Sequence, residues 1–110
     1  MAFTTINKSS VQFNTKLYSG DGSSSQPQTG VGFQPDWVWL KSRNTTDTHA
    51  LIDSVRGATK FIRSNASNAE GTDTAGLISF DTDGFTVGNS GPYGANGQNY
   101  VAWNWKAGGA

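Results

Sequence analysis

Short runs of alternating apolar and polar residues, separated by clusters of Gly, Ser, Asn and Pro, make up most of the chain. A repeat of two is the period of a β-strand with one buried face. Residues that favour helices are scarce, and Glu70 is the only glutamate in 110 residues, so helix propensity is poor. The pattern predicts about eight short strands, at 13–18, 29–33, 37–43, 49–53, 59–63, 77–81, 85–88 and 99–106.

The spacing of these strands predicts an all-β fold of two packed sheets, a sandwich that is jelly-roll-like. The sequence Asp81-Thr82-Asp83-Gly84 predicts a hairpin, because Asp-Gly supplies the positive φ that a tight turn needs. The stretches 64–75 and 89–98 are predicted to be irregular. Residues 1–107 are expected to form a single domain, and residues 108–110 to begin a linker or C-terminal tail.

Alternation also assigns faces to the two strongest strands. In the strand at 99–106, Val101, Trp103 and Trp105 are predicted to face the core. In the strand at 37–43, a core face of Val38, Leu40 and Ser42 leaves two tryptophans and two cations on the other side. These four are Trp37, Trp39, Lys41 and Arg43.

Trp37 and Trp39 allow three interpretations at this point. They could fill the core, they could form a protein interface, where Trp and Arg are enriched, or they could form a platform on which sugar rings stack. The sequence alone leaves these three roles open.

Composition limits the function classes. Eight cationic and eight acidic side chains give a formal net charge of zero, which argues against nucleic-acid binding and docking on anionic lipid. Without cysteine the chain has no disulfide or thiolate zinc site. No apolar run approaches the roughly 20 residues of a membrane span, and the first residues lack the features of a signal peptide. We expect synthesis in a cytoplasm.

Candidate chemistry is sparse. His49 is the only histidine, and no G-x-S-x-G sequence accompanies it. Asp81-x-Asp83-Gly84 begins like a calcium loop but lacks the later ligands. We therefore expect no enzymatic activity, no catalytic residues, no metal and no cofactor. A hydrolase built on paired Asp side chains is the weakest hypothesis.

Four motifs distinguish the chain, in this order: GFQPDWVWLKSR at 32–43, DSVRG at 53–57, SFDTDGF at 79–85 and YVAWNWKAGG at 100–109. Together with the opening at 2–9, they resemble a domain of uncharacterised function in tail-fibre-like and other structural proteins of marine and cyanobacterial phages. In longer proteins of that kind the domain is followed by further β-rich modules. The resemblance implies a virion or extracellular fibre setting, assembly in a host cytoplasm, homo-oligomers and no catalytic residues.

Two functional hypotheses follow. The favoured one is a structural or adhesive module that works by self-assembly, its partners being copies of itself. Its expected interface has Trp37 and Trp39 packed beneath cations that pair with acids of another copy. The polar members of that interface are Lys41, Arg43, Arg56, Asp36 and Asp53.

The alternative is a lectin-like receptor-binding domain that recognises cell-surface glycans. Its expected site uses Trp37 or Trp39, or else the long loop at 89–98, because long loops often carry function. The ligand-binding candidates are Trp39, Tyr93 and Asn96.

Overall fold

The computed structural model describes residues 11–107, which form nine strands and one helical turn. The predicted linker at 108–110 and the motif at 2–9 lie outside the described residues. The elements are β1 Phe13–Ser19, β2 Gln26–Gln28, β3 Trp37–Ser42, β4 Ala50–Asp53, β5 Lys60–Phe61, β6 Gly71–Thr72, β7 Leu77–Asp81, β8 Gly84–Val87, α1 Gly91–Gly94 and β9 Asn99–Trp105.

The strands form three antiparallel sheets. Four of the strands make the larger sheet in the order β1-β9-β3-β4, three make a second sheet in the order β2-β8-β7, and β5 pairs with β6. An isolated bridge between Leu51 and Ile62 extends the larger sheet beyond β4. This arrangement confirms the predicted all-β sandwich.

The core lies between the two larger sheets. The four-stranded sheet contributes Val38 and Leu40 from β3, Ile52 from β4 and Tyr100 from β9, all fully buried. The three-stranded sheet contributes the side chains on the other side of the core, which are Leu77, Phe85 and Val87. Strands of three to seven residues can therefore be stable because both sheets bury one apolar face against the other.

The strand order shows how far the likeness to a jelly roll extends. The first strand lies beside the last, and β2 lies beside β8, so the chain folds back on itself as in a Greek-key arrangement. A jelly roll has eight strands in two sheets, whereas here the second sheet has three strands and a short β5–β6 ladder adjoins the β4 edge of the larger sheet.

The hairpin predicted at 81–84 is confirmed. Strands β7 and β8 pair through it, with Asp81 opposite Gly84. Gly84 is required by close packing, because a side chain there would overlap the carbonyl oxygen of Gln28 on β2.

The predicted strand at 29–33 is wrong, since β2 ends at Gln28. Gly30 and Gly32 have φ values of 87° and 93°, which an extended strand does not contain. The backbone N–H groups of both glycines donate to the Asp83 carboxylate, at 2.9 and 2.7 Å. These hydrogen bonds hold the pKa of Asp83 below its ordinary value and fold the segment into a loop whose Val31 side chain is buried.

Three other boundaries differ from the sequence prediction. Strand β5 covers only two of the five residues predicted at 59–63, and β6 lies within the stretch predicted to be irregular. The loop at 89–98 contains α1, a single turn that carries the buried side chain of Tyr93.

Candidate functional site

The candidate site is the outer face of the four-stranded sheet, the side that points away from the core. Cross-strand partners share a side of a sheet, so the register defines three rows across β1, β9, β3 and β4. The first row is Phe13, Trp105, Trp37 and Asp53, and the second is Thr15, Trp103, Trp39 and Leu51. The third row is Leu17, Val101 and Lys41.

All four tryptophans of the chain lie in the first two rows of this outer face. Trp37 is 37% exposed, Trp39, Trp103 and Trp105 are partly exposed, and Leu17 is 56% exposed. Ile62, bridged to Leu51, is 39% exposed. A sheet face with this many partly exposed aromatic side chains is unusual for a surface that meets only water.

The rings of the first row pack on one another. The Trp105 ring lies between Trp37, stacked at 4.4 Å between centroids and 23° between planes, and Phe13, tilted at 4.9 Å. The Trp39 and Trp103 rings meet edge to face at 5.8 Å and 69°. Both geometries are favourable for aromatic pairs, so the rings hold each other in defined positions.

Between the two rows lies a cleft of about 260 Å³ lined by Trp39, Trp103 and Trp105, called here the tryptophan cleft. No carboxylate or amide side chain is among its lining residues. Its surface suits an apolar group better than a hydroxyl-rich one, because polar ligands need convergent hydrogen-bonding groups.

One end of the outer face is cationic. Lys41 lies in the third row, and Arg43 follows β3 with an exposed side chain. Beside them, His49 Nδ1 accepts a hydrogen bond from the Trp39 indole N–H at 3.1 Å. Partial burial, with a smaller effect of the Lys41 charge, lowers the pKa of His49. Within residues 11–107 neither Lys41 nor Arg43 forms an ion pair with a carboxylate.

The opposite end carries an excess of carboxylate. The Arg56 guanidinium pairs with Asp53 at 2.6 Å and with Glu70 at 3.1 Å, and it also donates to the carbonyl of Leu51. Burial alone would raise the pKa of Asp53, but the hydrogen bonds and charge of Arg56 outweigh it and lower the pKa. Two carboxylates thus share one guanidinium.

The predicted interface residues are only partly brought together. Trp37, Trp39 and Lys41 share the outer face, and Asp53 lies beside Trp37. Asp36 accepts hydrogen bonds from the Ser54 hydroxyl and the Ala107 N–H, and Arg56 makes its ion pairs within the chain. The structure therefore gives these two side chains intrachain roles, which the sequence did not indicate.

The predicted core face of β9 is wrong. Tyr100, Ala102 and Asn104 face inward and are fully buried, whereas Val101, Trp103 and Trp105 lie on the outer face and are only partly buried. The Asn104 amide N–H group donates to the carbonyls of Asn14 and Ala102, while its buried Oδ1 atom has no hydrogen-bond partner within residues 11–107. Phe13, Trp103 and Trp105 are thus site residues that the sequence analysis missed.

The predicted glycan site of Trp39, Tyr93 and Asn96 is not assembled. Tyr93 is 2% exposed and belongs to the core, where burial raises its pKa, so its ring cannot stack on a ligand. Asn96 is exposed on the loop after α1, whereas Trp39 points outward from β3. Of the three, Trp39 alone lines the tryptophan cleft.

Other forms of chemistry find little support among residues 11–107. That part of the chain holds no group of three or more His, Asp or Glu side chains placed to bind a metal ion. No helix in the same range is long and apolar enough to cross a membrane. The carboxylates of the motif resembling a calcium loop make local hydrogen bonds: Asp81 to Ser79 and Thr86, Asp83 to Gly30 and Gly32.

The fold and the outer face together define a small β-sandwich module with an aromatic surface on one sheet. The chain belongs to a family described as a domain of unknown function, DUF7483, whose model matches residues 8–110. No curated protein and no solved structure shows a significant match.

Proposed function

We propose that the chain is a non-enzymatic structural or adhesive module that works by self-assembly through its outer face. The observation that carries this proposal is the grouping of all four tryptophans, partly exposed, on one side of the four-stranded sheet. Aromatic side chains and arginine dominate the binding energy of protein interfaces. The sequence resemblance to phage tail-fibre-like proteins supplies the setting, a virion or extracellular fibre.

The ring geometry favours a protein partner over a sugar. A sugar-binding platform needs ring faces turned toward solvent, yet the Trp105 ring is stacked on Trp37 and has Phe13 packed against it at a tilt of 48°. The tryptophan cleft also lacks the amides and carboxylates that would bind hydroxyl groups. Apolar side chains of another polypeptide need neither open ring faces nor hydrogen-bonding groups, so they suit this surface better.

The test is the solution mass of the purified chain, measured by light scattering over a concentration series. We expect association that strengthens with concentration and that Trp37→Ser weakens strongly, because Trp37 is the most exposed of the four indoles. Ile78→Ser is the matched control, since it removes a partly exposed apolar side chain from β7 on the other sheet. A wild-type monomer up to about 1 mM, where even weak contacts of about 4 kcal/mol are half-populated, would overturn the proposal.

A lectin-like function is the second candidate, supported by a cleft lined with three indoles. It requires a monomer that binds glycans on an array and loses that binding in Trp39→Ala. Association of the wild-type chain together with a blank array would eliminate it.

A further inference from the structure

The charge pattern of the outer face indicates how two copies meet. The first two rows are aromatic or aliphatic except for Asp53 and Thr15 at their edges, with the cations Lys41 and Arg43 beyond one end and the Asp53–Arg56–Glu70 cluster at the other. The cationic end has no carboxylate partner within residues 11–107, and the acidic cluster has one carboxylate more than guanidinium. A surface with opposite charges at its two ends is complementary to a reversed copy of itself.

From this pattern we infer that two copies pack outer face to outer face about a two-fold axis. The axis lies between the four-stranded sheets of the two copies and runs at right angles to their strands. It passes over the row of Trp39 and Trp103. This inference rests on the proposed self-assembly and specifies its partner and geometry. Every contact then occurs twice, as in any isologous dimer.

The register sets which residues oppose each other. Reversing the strand direction about the Trp39 row places Lys41, two residues beyond it, over the partner's row of Trp37 and Asp53. Arg43, four residues beyond, comes over the turn at 54–56 and Glu70. An axis parallel to the strands would instead place Lys41 over the partner's Lys41, and like charges at an interface are unfavourable. The charges therefore select the reversed arrangement.

The size of the face limits the affinity. Four strands about 4.8 Å apart and five residues rising about 3.3 Å each give a patch of about 19 by 16 Å. Even with its surface relief, such a patch lies below the roughly 800 Å² per partner of a standard interface. We therefore expect dissociation in the micromolar range, strong enough for copies held close together in a particle and weak enough to require a concentration series.

A charge swap tests the geometry. Arg43→Glu and Glu70→Arg each place like charges opposite each other twice in the dimer, and we expect each to raise the dissociation constant about tenfold. The double variant restores opposite charges and should return to within about threefold of the wild type. Arg43 and Glu70 are both exposed, so neither change reaches the core. Because Glu70→Arg also removes the intrachain ion pair with Arg56, the melting temperature of each variant is compared with that of the wild type at one low concentration. Asn89→Glu, at an exposed position after β8 of the other sheet, is the control for a new charge that should leave association unchanged.

The outcomes separate this inference from the proposed function. Rescue by the double variant supports the reversed two-fold dimer. The proposed geometry is wrong if each single reversal weakens association and the double variant weakens it further. It is also wrong if no charge reversal has an effect while Trp37→Ser abolishes association. In both cases the proposed self-assembly still holds. If the wild-type chain never associates, both fail. Sedimentation velocity of the double variant that shows a growing filament, rather than a closed dimer, would also overturn the geometry.

Discussion

His49 links a titrating group to the tryptophan surface. Its Nδ1 atom can accept the indole N–H of Trp39 only while that nitrogen is unprotonated. The imidazole therefore holds one wall of the tryptophan cleft in position at neutral pH. The effect of this contact on stability depends on pH, because burial and the Lys41 charge lower the pKa of His49.

Acidification should destabilise the wild-type chain more than His49→Gln. The folded pKa of His49 is lowered from its ordinary value of 6.5, so the unfolded chain binds the proton more readily. The stabilisation is complete above about pH 6.5 and is lost as the pH falls through that value toward the folded pKa. Glutamine keeps an acceptor for the indole and does not titrate.

The measurement is the melting temperature of both chains from pH 8 to pH 5 at one low protein concentration. Both chains carry the same acidic groups, so the titration of those groups affects both melting curves alike. Below about pH 6.5 the melting temperature of the wild type should fall more steeply than that of H49Q. Curves that stay parallel over this range would contradict the role given to His49.

At the scale of elements, strands β3 and β9 show what alternation can and cannot predict. For β3 the sequence left open whether the tryptophans face the core, and the structure buries Val38 and Leu40 instead. The face of β9 was wrong, because the outer face of this sheet is itself apolar while the core side carries Asn104. A period of two separates the faces of a strand, but it does not say which one is buried.

The pairing of β3 with β9 determines which side of β9 carries its tryptophans, and the sequence analysis did not use it. Trp37 lies opposite Trp105, and Trp39 opposite Trp103. Once the tryptophans of β3 point outward, those of β9 must do so too, since neighbours across a ladder share a side. Tyr93 could not be placed from sequence for a different reason: only the turn of α1 packs its ring into the core.

The β7–β8 hairpin depends on one close approach. Replacing Gly84 with Ala should destabilise the fold by about 2–3 kcal/mol, because the new methyl group overlaps the Gln28 carbonyl and pushes β2 away from β8. Urea unfolding measures the change in midpoint. Thr82→Ala, in the same turn with an exposed side chain, is the control and should stay near the wild type. Equal midpoints for the two variants would refute the packing role of Gly84.

For the whole molecule, the distribution of tryptophan is the dominant property. All four indoles lie on the outer face of one sheet, so intrinsic fluorescence reports on that face and on little else. The zero net charge argued against nucleic-acid and anionic-lipid partners, and the all-β architecture was predicted from short alternating strands. The arrangement of that face could not be predicted, because it depends on a ladder between residues more than 60 positions apart.

Dilution should shift the tryptophan emission to longer wavelengths if copies associate through the outer face, since separated indoles meet water. The shift should follow the same concentration dependence as the scattering mass, by mass action. Arg43→Glu should move the transition to higher concentration without altering the emission of the fully dilute chain. An emission maximum that stays constant while the mass changes would place the contact elsewhere on the molecule.

The neighbouring positions of β1 and β9 have a mechanical consequence. Phe13 lies opposite Trp105, and the Lys106 N–H donates to the Gln12 carbonyl, so the two ends of the described chain leave from the same pole. Tension applied through both ends would act first on the terminal hydrogen bond of this ladder. The ladder would then open one hydrogen bond at a time, whereas a shearing force would load all of its bonds together.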